Sequence, residues 1–203
     1  MVDACLLPPL HRALVLGIPI GPLRETVIKQ YSKFLKPKEQ IIVPLAIRTQ
    51  GIITAPGNPK NIQTVNDFVR RDVSIVNRQP HSGTRTLLDL LLKDQKIDVT
   101  NIRGYENSEF THAAVAAYIA SGMADAGFGI ETGARQFGLD FVPVATENYY
   151  MIFNKNSRSH LAIKEMIGTM QDQLFRNEIN QIAGYICDRP AEAISAAKEL
   201  GLK

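Results

Sequence analysis

Only two cysteines occur in the chain, Cys5 and Cys187, and they lie near opposite ends. Such a pair supports neither a disulfide framework nor a metal-ligand spacing, and it suits a reduced, cytoplasmic setting. The histidines His11, His81, His112 and His160 show no H-x-x-x-H or H-E-x-x-H spacing, so no metal site is expected. Long apolar runs are missing too. No stretch approaches the roughly 18 apolar residues of a membrane span, and the opening MVDACLLPPLHRALVLGIPI does not have the pattern of a signal peptide. Basic residues are scattered without a run of five, so the formal net charge of +3 predicts no direct nucleic-acid contact. No G-x-S-x-G elbow surrounds Ser82, and the side chain of its neighbour His81 diverges from it, which leaves nucleophilic catalysis without support.

What is present is the material of a folded α/β protein. With 45% hydrophobic and 21% charged residues over 203 positions, the chain can bury a core as one domain or two small lobes. Strand-like and helix-like patterns alternate, which predicts mainly parallel strands. Strands are expected at ALVLGI (13–18), QIIVPLAI, GIITA, VSIVN, ADAGFGI, LDFVPVA and YYMIFN. Helices are expected at PLRETVIKQYSKFL, with Leu23, Val27, Tyr31 and Phe34 on one stripe, and at TVNDFVR, TRTLLDLLLKD, THAAVAAYIASG and ETGARQFG. PGNPKN is the strongest turn signal, and the pattern from Arg158 onward reads as helical with a break near CDRP.

Three stretches carry chemistry. NRQPHSGTR, residues 77–85, passes from an apolar run into an apolar helical run through hydrogen-bond donors. A helix starting there leaves backbone N–H groups without intrahelical partners and places partial positive charge at its end, a setting that favours an anion. Ser82, Gly83, Thr84, Arg85 and Arg78 are the candidate contacts, although Ser82 or Thr84 could equally be a plain helix cap with solvated arginines nearby. The second stretch is GYENSEFTHAAV: Thr111 is placed to cap the alanine-rich helix, with His112 in its first turn, and Glu109 could orient His112 or an arginine. The third is AGFGIETGA. Gly127, Gly129 and Gly133 suggest a dinucleotide site, but Glu147, the acidic residue about twenty positions on, begins a strand rather than ending one. These glycines are instead expected to permit close packing of strand and helix.

RTQGIITAPGNPKNI, VNRQPHSGTRTLLDLLL, IRGYENSEFTHAAVAAYIASGMADAGFGIETGA and GLDFVPVATENYYMIF together resemble the type II periplasmic-binding-protein-like domain of bacterial molybdate-binding-like proteins. In that family the domain is often fused to a helix-turn-helix segment or to a molybdopterin-biosynthesis enzyme. The resemblance runs from about Gly17 to Phe153. It implies two α/β lobes joined by crossover strands around a ligand cleft, a binder rather than an enzyme, no cofactor, and a tetrahedral oxyanion such as molybdate or tungstate as ligand. It also implies lobes divided as residues 1–55 (partial first lobe and crossover), 56–148 (second lobe) and 149–203 (return crossover and C-terminal helices on the first lobe). SGTR at Ser82–Arg85 corresponds to a strand-to-helix turn facing the ligand, and THAAV to the next helix start. Tyr149 corresponds to a tyrosine that offers its hydroxyl to the oxyanion, with Tyr150 as the alternate should the register shift by one.

The chain also departs from the family. Most of an initial βαβα segment has no counterpart, proline stands in VLGIPIG where the family has histidine, and MVDACLLPPLHRA resembles nothing in it. The first lobe is therefore expected to be incomplete. Its lost donors, at about 1.5–3 kcal/mol for each charged hydrogen bond, would weaken binding, and uncovered apolar faces would favour a homodimer. No helix-turn-helix segment is read, so a regulatory role would need a separate DNA-binding chain. An enzyme acting on a phosphorylated small molecule, with His112 and Glu109 as acid and base, and a remnant without ligand stay open as alternatives.

Overall fold

The computed structural model describes residues 3–4, 14–189 and 191–202; Cys5 and His11 lie outside them. The chain divides into two compact units, Met1–Arg48 with Thr146–Lys203, and Thr49–Ala145. Two fifteen-residue strands, β3 (Gln40–Thr54) and β7 (Asp140–Asn154), carry the chain from the first unit to the second and back.

In the first unit, β1 (Asp3–Ala4) pairs antiparallel with β2 (Leu14–Pro19), and β2 pairs antiparallel with β7 from Leu14 opposite Ile152 to Pro19 opposite Glu147. Helix α1 (Arg24–Gln30) follows β2 and is anchored by Arg24, whose Nη2 donates to the Glu199 carbonyl at 2.9 Å. The helix ends at Gln30, so the expected stripe is cut short: Val27 is buried while Phe34 lies beyond the helix and is 43% exposed. The long strands β3 and β7 bury side chains on both faces. Ile42, Tyr150 and Ile152 join one core cluster with Leu16, Ile18 and Ile28, whereas Ile41, Val43 and Phe153 join another with Ile163 and Met170. Alternate residues of a strand point to opposite faces, so each long strand feeds both clusters.

The second unit uses the far half of β3, antiparallel to β6 (Ala126–Ile130) from Gln50 opposite Ile130 to Thr54 opposite Ala126. Strand β4 (Ile75–Arg78) runs parallel to β6 on one side and to β5 (Ser108–Glu109) on the other. Helices α2 (Gly83–Asp94), α3 (His112–Ala120) and α4 (Glu131–Gln136) follow β4, β5 and β6. Ile53, Val76, Val115, Ala116, Ile119 and Ala134 form the core of this unit. Gly127 permits its density, since a Cβ there would stand 2.9 Å from Val115 Cγ1 and 2.9 Å from the Val76 carbonyl oxygen.

The α/β class holds, but the expected predominance of parallel strands does not. Of the pairings whose register is described, β4–β5 and β4–β6 are parallel, whereas β1–β2, β2–β7, β3–β6 and the pairings of β3 with β8 (Tyr185–Ile186) and β9 (Ile194–Ser195) are antiparallel. Each long strand reverses direction relative to its shorter neighbours, which alternation of elements alone does not reveal. QIIVPLAI and GIITA prove to be one strand, as do LDFVPVA and YYMIFN. Pro44 falls between the residues paired with β9 (Ile41, Ile42) and those paired with β8 (Ile47, Arg48), outside both of these short pairings. The C-terminal part is likewise not wholly helical. After α5 (Leu161–Gln171) and α6 (Gln173–Gln181), the short strands β8 (Tyr185–Ile186) and β9 (Ile194–Ser195) return to β3 before α7 (Ala196–Leu200).

Candidate functional site

Helix α2 starts where the donor-rich stretch foresaw. His81 takes a left-handed conformation (φ 69°), Ser82 is extended, and the Ser82 Oγ accepts the Arg85 N–H at 3.1 Å while its carbonyl accepts the Thr86 N–H at 2.9 Å. The amides of Gly83 and Thr84 are thereby left outside the helical ladder, at the positive end of the helix dipole. Gly83 is exposed, and a Cβ on it would meet nothing within 4 Å, so its backbone is open to an approaching molecule. Helix α3 repeats the device: Thr111 Oγ1 accepts the Ala114 N–H at 2.9 Å and its carbonyl accepts the Val115 N–H at 3.2 Å, which leaves the amides of His112 and Ala113 outside the ladder.

The parallel pairing of β4 with β5 brings the two helix starts to one edge of the second unit, since Arg78 stands opposite Glu109 in the register. The turns are tied together as well. The Gln79 N–H donates to the Glu109 carbonyl at 3.0 Å, and Arg78 Nη2 donates to the Phe110 carbonyl at 3.0 Å. Helix α4 begins at the same edge, because β6 is parallel to β4. Its Gly133 approaches the start of α3, where a Cβ would lie 3.4 Å from the His112 carbonyl oxygen.

Not every candidate side chain is turned to this edge. Arg85 is 7% exposed and runs along its own helix, with Nε donating to Asp89 Oδ1 at 2.8 Å and the guanidinium stacked 4.1 Å from the centre of the Tyr105 ring. Tyr105 in turn donates from its hydroxyl to the same Asp89 oxygen at 2.7 Å. Burial works against the Arg85 charge, but Tyr105 and Asp89 more than offset it and hold the guanidinium pKa above its ordinary value. Thr84 is buried, so its hydroxyl is not turned to this edge; its amide is one of those outside the helical ladder. Asn77, buried at the end of β4, escaped the sequence reading; its Nδ2 donates to the Tyr105 carbonyl at 2.7 Å and secures the loop behind α2.

Tyr149 belongs to the first unit. Its half-buried ring lies beneath the Arg48 guanidinium, 4.1 Å from the ring centre, while Tyr150, on the opposite face of β7, is buried and donates from its hydroxyl to Glu199 Oε1 at 2.7 Å. Arg48 also pairs with Glu147, and both side chains are almost completely buried. Burial opposes the Arg48 charge, yet Glu147 holds its pKa above the ordinary arginine value. Gly17 makes room for the pair, since a Cβ there would collide with the Glu147 carboxylate. Arg48 also escaped the sequence reading, although a charged residue between two apolar strand segments is the signal that could have found it.

Among the described residues no cluster of His, Cys, Asp or Glu could hold a metal ion, and no helix is long and apolar enough to cross a membrane. Residues 16–171 match the PBP superfamily domain. The chain belongs to the PBP superfamily. The uncharacterized protein YvgK of Bacillus subtilis is 32% identical over 145 residues, 71% of this chain and 46% of YvgK, so the chain spans about half the length of that relative. Among solved structures, the fold is similar to that of a protein described as a phosphate ABC transporter substrate-binding protein, with bound phosphate, from Clostridium perfringens (TM-score 0.56, 10% identity, 87% of this chain and 79% of that one). It is also similar to the regulatory domain of MetR, a LysR family regulator from N. meningitidis (TM-score 0.58, 13% identity, 87% and 76%). The type II binding-protein fold of this PBP superfamily member therefore stands on its sequence and its structure together.

Proposed function

We propose that the chain is a cytoplasmic ligand-sensing domain that binds a small tetrahedral oxyanion, with molybdate and tungstate as the first candidates. The observation that carries this reading is the pair of capped helix starts on adjacent parallel strands, with the amides of Gly83, Thr84, His112 and Ala113 at one edge of the second unit. Amides outside the ladder at a helix start stabilise negative charge without supplying a base or nucleophile, which favours binding over turnover. Arg78 lies between the two turns and adds charge there. The phosphate bound by the Clostridium perfringens protein supports an oxyanion as ligand for this fold. Likeness to a LysR family regulatory domain supports a sensing role.

Calorimetric titration with molybdate, tungstate, sulfate and phosphate tests the reading. Binding of at least one, weakened by Arg78→Ala, is expected, and a folded sample that binds none of the four refutes it.

A further inference from the structure

The first unit holds a second concavity that shares no residue with the positions discussed above. It has a volume of about 870 Å3, and its walls are the 3-10 helix Lys155–Ser159, one face of α5, and Glu192 with Ala193. That size lies within the range of about 300–1,000 Å3 typical of small-molecule sites. Three cations, Lys155, Arg158 and Lys164, line it against the single carboxylate of Glu192. Lys155 is anchored through its Nζ to the Lys38 carbonyl at 2.5 Å, whereas the side chains of Arg158 and Lys164 have no partner among the described residues.

The lining residues are largely exposed, and one helical face orders them. Lys164, Ile167, Gly168 and Gln171 follow the i, i+3, i+4, i+7 spacing of one helical face, while Ile163 and Met170 of the same helix enter the core. Gln171 Nε2 donates to the Ala191 carbonyl at 3.1 Å and ties α5 to the segment that carries Glu192. Gly168 stands in the interior of α5, where glycine is the poorest helix former after proline. A Cβ there would meet nothing within 4 Å, so no neighbour in the fold requires the glycine. Its effect is to leave bare backbone on the pocket wall, which a ligand can approach closely.

We propose that this pocket binds a phosphorylated organic molecule of about nucleotide size. Arg158 and Lys164, with Lys155 beside them, take the phosphate groups, for which a planar guanidinium supplies paired donors. The flat or apolar part of the ligand lies over Gly168 and Ile167, and Glu192 accepts from a ligand hydroxyl or amino group. Glu192 would repel a bare inorganic anion, and the volume exceeds what one needs, so the organic portion is integral to the proposal.

Calorimetry on the full chain with ADP, pyrophosphate and adenosine as probes tests it. ADP is expected to bind more tightly than either fragment. The double substitution Arg158→Ala/Lys164→Ala should weaken ADP at least tenfold with circular dichroism unchanged, and should leave any response to molybdate as it was, so this proposal and the oxyanion reading can fail separately. Gly168→Ala should raise the melting temperature and yet weaken ADP, a combination that a purely structural glycine would not produce. Failure of the folded protein to bind ADP, an ADP affinity untouched by the double substitution, or pyrophosphate binding as tight as that of ADP would each overturn the proposal.

Discussion

Glu147 on β7 closes a buried ion pair with Arg48 on β3, one of the few charged contacts in the first unit that water hardly reaches. The pair sits where the chain leaves the unit and where it returns, since Arg48 is its last residue before β3 crosses and Glu147 the second after β7 re-enters. Glu147→Ala would leave an uncompensated buried charge and should destabilise the protein by about 3–5 kcal/mol in chemical denaturation. Replacing both partners, as Arg48→Met with Glu147→Leu, should cost less than either single change. Gly17→Ala should also destabilise, because its Cβ claims the space of the Glu147 carboxylate.

Gly83 offers a test in which stability and binding move in opposite directions. Its φ is not left-handed, its surroundings are open, and an acidic side chain in the first turn of a helix contributes about 0.3–1 kcal/mol of stability. Gly83→Glu should therefore keep or raise the melting temperature while abolishing the calorimetric response to the oxyanion, by occupying the positive end of α2. An unaltered oxyanion response in this variant would place the site elsewhere.

Arg78 and Arg85 should separate in the same pair of assays. Arg85 is buried between Asp89 and Tyr105, so Arg85→Ala should lower stability by about 1–3 kcal/mol, the cost of leaving hydrogen-bonding groups without partners. Arg78 is half-buried at the turn, so Arg78→Ala should change oxyanion affinity more than stability. Denaturation midpoints and calorimetry on both variants decide between these roles.

Acid sensitivity should trace in part to Glu199 on α7, which accepts from Arg189 Nη1 at 2.8 Å and from the Tyr150 hydroxyl at 2.7 Å. The Arg189 contact above all, helped by Tyr150, holds its carboxyl below the usual carboxylate range despite partial burial. A carboxyl depressed in the folded state contributes stability above its unfolded pKa and loses it as the pH falls through the folded value. The melting temperature should thus fall as the pH drops below the ordinary glutamate pKa of about 4.3, and Glu199→Gln should make that drop shallower. An identical slope in the variant would assign the acid sensitivity to other groups.

Local signals in the sequence sufficed to locate the helix starts. Ser82 and Thr111 cap α2 and α3 because their short side chains reach the backbone amide three positions on, an interaction contained within a few residues. The turn at PGNPKN is equally local, with Gly57, Asn58 and Asn61 all at positive φ. Tertiary structure decided what depends on partners distant in the chain. It joined two pairs of expected strands into β3 and β7, because the polar residues that interrupt the apolar pattern, such as Arg48, are buried beside partners far along the chain. It withdrew the Arg85 side chain from the helix start, since Tyr105 arrives there from a separate loop. And it set the starts of α2 and α3 at one edge, because only strand pairing determines that Arg78 stands opposite Glu109. Capping and turn formation require a few neighbouring residues, whereas register and buried charge require the whole sheet to be assembled.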